Sequence, residues 1–118
     1  MRDYASFPKI YLHRDYIDMR KSINGLSQIV AEELHLNPCH GGLFVFTNRA
    51  RSLLKCLYWD KTGFALWIKR LEKERFRWPS KLEGGVISLT PEQMGWLLAG
   101  LDVVKLQPHQ ALEYQAFS

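Results

Sequence analysis

The stretch Leu53-Leu-Lys-Cys-Leu-Tyr-Trp-Asp-Lys-Thr-Gly-Phe-Ala-Leu-Trp-Ile68 decides the fold. Two runs rich in aliphatic and aromatic residues, Leu53 to Trp59 and Phe64 to Ile68, flank Asp60-Lys-Thr-Gly63, a tight connection with glycine last. That layout predicts a β-hairpin. Upstream, Gly41-Gly42 punctuates the chain before the apolar run Leu43-Phe-Val-Phe46, which suits a buried strand, and Lys9-Ile-Tyr-Leu-His13 after Pro8 predicts a first strand. Downstream, Phe76-Arg-Trp78 before Pro79 and Val86-Ile-Ser-Leu89 predict two shorter strands.

Two segments carry helical spacing. Met19, Ile23, Leu26, Ile29, Val30, Ala31 and Leu34 follow three- and four-residue steps. Asp18 is placed to cap that helix, and Asn37-Pro38 ends it because a residue before proline avoids helical angles. Gly25 interrupts the run and is expected to permit close packing against a sheet. Thr90-Pro-Glu-Gln93 opens the second helix, with proline at its first position and a Thr/Gln capping box. Met94, Leu97, Leu98 and Leu101 form its apolar face. The order is β-α-β-β-β-β-β-α, which predicts an α+β domain with a mostly antiparallel sheet of four to six strands. Residues 1–102 are read as that domain and 103–118 as a C-terminal tail.

At 118 residues the chain has the length of one domain. With 47% hydrophobic and 24% charged residues it matches ordinary globular composition, which argues against disorder and against a membrane protein. No run approaches the roughly 18 apolar residues of a spanning helix. The first residues lack the basic-then-apolar layout of a secretory signal. Cys39 and Cys56 are too few for a disulfide framework, so a cytoplasmic location is expected.

Charge is uneven. Arg49 to Arg77 hold nine basic residues and three acids, a net of +6, while the remainder carries seven basic and nine acidic residues, a net of −2. A one-sided basic field points toward a polyanion such as nucleic acid. Within it Tyr58, Trp59, Phe64, Trp67, Phe76 and Trp78 interleave with Lys and Arg. Strand alternation in Arg75-Phe-Arg-Trp78 puts the arginines on one face and the aromatics on the other. The tryptophans read as core, while the basic face reads equally as a phosphate-contacting surface and as a solvated face that keeps the protein soluble.

Enzymatic signatures are weak by comparison. His35-Leu-Asn-Pro-Cys39-His40 with Cys56 lacks the two close ligand pairs of a zinc site, so neither metal nor cofactor is expected. There is no nucleophile elbow and no phosphate-cradling glycine loop. Asp15, Asp18, Asp60, Glu72, Glu83 and Asp102 could serve a metal-dependent nuclease, but most sit at expected turns and helix ends. No catalytic residue is assigned.

Asp18-Met-Arg-Lys21, Gly25-Leu26, Asn37-Pro38, Gly42-Leu-Phe-Val-Phe46, Lys55-x-Leu-Tyr-Trp-Asp60, Gly63, Lys69-Arg-Leu-Glu72, Phe76-x-Trp-Pro79 and Leu89-Thr-x-x-Gln93 follow one another in an order that resembles the insertion-sequence-66 family accessory protein. This is the TnpB-type second reading frame of bacterial transposons, and the resemblance spans residues 9 to 102. It implies a non-enzymatic factor encoded beside a transposase, needed for transposition and supposed to bind DNA. Thr47, Ala50 and Leu53 stand where the family commonly has basic residues, Ser52 where it has aspartate, and Ser22 and Glu74 where it has glycine.

The expected phosphate contacts are Arg49, Arg51, Lys55, Lys69, Arg70, Arg75 and Arg77, with Arg20 and Lys21 as a second tier. The expected partners are DNA at the element ends and the element's transposase, with no membrane partner. The alternative is an adaptor that assembles the transposase without touching DNA. In that case Trp96, which lies off the Leu97/Leu98/Leu101 face, is expected to be exposed and to anchor the interface.

Overall fold

The computed structural model describes residues 1–103. After a 3₁₀ turn at Tyr4–Ser6 the elements run β1 (Lys9–His13), α1 (Ile23–Gln28, continued by a π-helical turn Ile29–Glu33), β2 (Gly42–Thr47), β3 (Leu53–Asp60), β4 (Gly63–Arg70), β5 (Val86–Leu89) and α2 (Pro91–Leu98). The sheet is open and ordered β4-β3-β2-β1-β5. The β3–β4 hairpin forms, with Asp60 opposite Gly63, and β2–β3 and β1–β5 are also antiparallel. The β1–β2 pair is parallel, with Leu12 opposite Val45, so the sheet is mixed. Parallel neighbours need a crossover, and α1 supplies it.

That crossover closes one face of the sheet. Leu26, Ile29 and Val30 pack with Phe44, Phe46 and Leu57. The opposite face buries Ile10, Leu12, Leu43, Val45, Leu54, Cys56, Ile87 and Leu89 under Phe76, Trp78, Met94, Leu97 and Val103. Every residue of β2 is buried as a result. No helix among the described residues is long and apolar enough to cross a membrane.

Several expectations need correction. The first helix starts at Ile23, not near Asp18. The Asp18 carboxylate accepts from the Arg20 amide and its guanidinium, and the Met19 and Lys21 carbonyls accept from the Lys55 ammonium at 2.8 and 2.9 Å. Tied to β3 in this way, the segment before the Ser22 N-cap is a loop and not a first helical turn. Gly25 does not admit the sheet; a side chain there would meet the Lys21 stem at 3.2 Å.

Phe76 to Trp78 does not form a strand. The Trp78 amide bonds to the Phe76 carbonyl, the Ser80 amide to the Trp78 carbonyl, and Pro79 has no amide to offer a ladder. The burial alternation survives, with Phe76 and Trp78 inside and Arg75 and Arg77 outside. In α2 the Thr90/Gln93 capping box is present. The helix stops at Leu98 with Gly100 in the left-handed region, which breaks the stripe and leaves Leu101 44% exposed. Val103 is buried, while the rest of the expected tail, residues 104–118, lies outside the described residues.

Trp78 ties the second face to the end of β1. Its indole Nε1–H donates to the His13 carbonyl at 3.1 Å and the Arg14 carbonyl at 2.9 Å, and the residue is only 6% exposed. Trp78→Phe removes that donor and leaves both carbonyls short of a partner. It should lower unfolding free energy by about 1–3 kcal/mol. Urea denaturation measures this, and an unchanged midpoint would show that the bond contributes nothing.

Candidate nucleic-acid interface

Both faces are covered over β2 and most of β3, and part-exposed β4 offers as basic side chains only Lys69 and Arg70, each already bonded, so no broad basic sheet face is left for phosphates. The candidate cations are instead distributed around one end of the sheet. Because β1 and β2 are parallel, their C-terminal ends lie together, and the Ile17 amide bonds to the Thr47 carbonyl at 2.9 Å. The β2–β3 turn carries Arg49 and Arg51 at this end, and β4 finishes beside it, with Arg70 opposite Leu53. The Leu71 amide donates to the Ser52 carbonyl at 2.8 Å and the Phe76 amide to the Arg51 carbonyl at 2.7 Å. These bonds bring the segment bearing Arg70, Arg75 and Arg77 against the turn bearing Arg49 and Arg51. The result is a rim of loops.

Asn48 shapes the turn. Its Oδ1 accepts from the Ser52 and Leu53 amides at 3.0 and 3.1 Å, and Arg51 takes a left-handed φ of 58°. Buried Thr47 donates its hydroxyl to the Leu53 carbonyl at 2.9 Å and closes the loop.

The individual cations differ sharply. Arg49, Arg75 and Arg77 are exposed and carry no ion pair or side-chain hydrogen bond among the described residues. Arg51 is half-buried and donates from Nη2 to the Ser80 hydroxyl at 3.0 Å. Arg70 is exposed but bonded to the Glu72 carboxylate at 3.0 Å. The Lys69 ammonium donates to the Leu98 carbonyl at 3.3 Å, at the carbonyl end of α2, where a cation offsets the helix dipole.

Lys55 leaves the candidate set. It is 7% exposed, it lies on the α1 side of β3, and its ammonium is held by two backbone carbonyls. Lys73, counted in the basic run but not singled out, is exposed on the same segment as Arg75.

The second tier falls on a different part of the rim. Arg20 forms a bidentate pair with Asp18, which holds that carboxyl down at about 2. Lys21 lines a cleft of about 630 Å³ together with His13, Asp15, Asp18, Glu32 and Glu33. That cleft is acid-rich, so the rim is basic on the β3–β4 side and acidic beside α1.

Trp96 is half-buried and packed against the core beneath α2 rather than exposed. The short helix rotates it inward together with Leu98.

The remaining chemistry-bearing residues do not converge. Cys56 is in the core, where burial pushes its thiol well above the ordinary range, whereas Cys39 is on an exposed loop. Among the described residues no three His, Cys, Asp or Glu side chains could hold a metal ion. Asp60 is at the hairpin turn and Glu72 beside Arg70, away from Asp15 and Asp18 at the cleft.

The family described as "IS66 Orf2 like protein" matches residues 8–108. The chain is 44% identical over 94 residues to "Uncharacterized protein y4hO" of Sinorhizobium fredii (strain NBRC 101917 / NGR234), covering 80% of this chain and 81% of the relative. It is 35% identical over 91 residues to "Uncharacterized protein y4jC" of the same strain, covering 77% of each. No solved structure matches.

Two outcomes are expected. Lys55→Met strips a donor from two carbonyls and should cost about 1–3 kcal/mol in urea unfolding. A stable variant would mean the ammonium is not anchoring the loop. A thiol reagent should titrate one cysteine, Cys39, in the native protein and both after denaturation; two fast thiols in the native state would contradict the burial of Cys56.

Proposed function

This chain belongs to the IS66 Orf2-like family, and on that premise we propose that it is a non-catalytic cytoplasmic accessory protein of a bacterial insertion sequence. It assists transposition by holding duplex DNA of the element ends against the basic side of the sheet-end rim, next to the transposase. The observation that carries this reading is the gathering of Arg49, Arg75 and Arg77, exposed and without acidic partners among the described residues, around one loop junction.

Guanidinium groups in that state neutralise phosphates without first breaking an ion pair. Arg70 exchanges Glu72 for phosphate at some cost, and Arg51 keeps its Ser80 bond while lending charge to the rim. Contacts of this kind give affinity and placement with little sequence information. Discrimination of the element ends is then a task shared with the transposase. For the adaptor alternative, Trp96 offers a half-buried rather than an exposed anchor, since it packs in part against the core.

Binding of labelled duplex across a salt series tests the reading. Log affinity should fall linearly with log salt, with a slope of about −3 to −5 for three to five neutralised phosphates. Reversing Arg49, Arg75 and Arg77 together to Glu should weaken binding at least tenfold and flatten the slope, whereas Arg20→Glu should do little. Undiminished affinity in the triple variant would remove the rim from the account, and absence of binding at low salt would favour the adaptor.

A further inference from the structure

Strand β4 closes one side of the sheet, and its outer edge pairs with no strand among the described residues. At eight residues it is long for an edge, which folded proteins usually shorten, bulge or cover. Phe64 and Leu66 are half-buried on the α1 side; Ile68, next on that face, is 51% exposed. The other face presents Gly63, Ala65, Trp67 and Lys69.

We propose that β4 is a self-association edge, on which two copies of this chain pair antiparallel about Leu66. In that register Leu66 meets Leu66 of the second copy, and Ile68 meets Phe64. On the opposite face Trp67 meets Ala65 and Lys69 meets Gly63. Large side chains thus face small ones on one side, and aliphatic and aromatic ones face each other on the other, as favourable cross-strand pairs do. A side chain at Gly63 would have no neighbour within 4 Å, so there is room beside it for the Lys69 stem of the second copy.

Charge is compatible with the pairing. Lys and Arg commonly guard an edge against pairing. Here the Lys69 ammonium turns to the Leu98 carbonyl and Arg70 is bonded to Glu72, so neither holds a bare charge over the seam.

The dimer joins two five-stranded sheets into one and directs the two basic rims toward opposite ends. A bridge between two duplexes is a consequence that rests on the DNA reading. The self-association does not, and its test uses no DNA, so the two fail separately.

Sedimentation equilibrium of the full chain over a concentration series should show a monomer–dimer equilibrium. Ile68→Lys should weaken it at least tenfold while the far-UV circular dichroism stays unchanged. On a Cys39→Ser background, Leu66→Cys lies across the two-fold axis and should cross-link to a dimer under mild oxidation faster than Ile68→Cys, whose counterpart is Phe64. A wild-type protein that stays monomeric throughout would overturn the proposal and leave the edge to a strand of a different protein. Dimerisation of Ile68→Lys as tight as wild type, or equal cross-linking of the two cysteine variants, would overturn it as well.

Discussion

Strand β2 is buried along its whole length, and the rest of the molecule is arranged to cover its two faces. Phe44 and Phe46 point to the α1 side, Leu43 and Val45 to the side of α2 and Trp78. A strand with both sides apolar is stable only inside a layered arrangement, so the parallel β1–β2 pair with its helical crossover follows from it. The second layer is less regular. It combines a short capped helix with Phe76 and Trp78, whose segment has no ladder of its own and is fixed through the Arg51 carbonyl and the end of β1. The same bonds that complete the core therefore place Arg75 and Arg77 beside the β2–β3 turn.

With the central strands covered on both faces, the exposed charge gathers at one end of the sheet. The basic end and the acid-lined cleft share one rim, so the field is polarised across it: Arg49, Arg75 and Arg77 on one side, Asp15, Glu32 and Glu33 on the other. A field polarised in this way favours an anion on the arginine side and disfavours it beside α1. Lys55 belongs to neither half. Its ammonium fastens the Met19–Lys21 loop to β3, ahead of α1 and beside the cleft that Lys21 lines.

Much of this was legible in the sequence, and the failures have physical causes. The hairpin, β1, β5 and the α2 capping box depend on local signals, Asp60 to Gly63 and Thr90 to Gln93, that nothing distant overrides. The alternation of Arg75, Phe76, Arg77 and Trp78 correctly separates surface from core even without a strand. Strand alternation gives the face of Lys55 but not what covers that face; the parallel β1–β2 pairing that brings α1 there is a non-local choice. The first helix starts later than local spacing suggests, and the Lys55 ammonium that ties down the loop before it is 36 and 34 residues away. The half-burial of Trp96 is not legible because the helix stops at Leu98, which leaves too little periodicity to define a face.

The central claim is that loops at one end of the sheet, and not a face of it, form the DNA-contacting surface. Backbone amide chemical-shift mapping with a short duplex at low salt tests it most directly. The account predicts shifts confined to Arg49–Ser52 and Arg70–Arg77, with the amides of Lys55 and of α2 unmoved. Shifts concentrated on α2 around Trp96, or spread along β3 and β4, would contradict it.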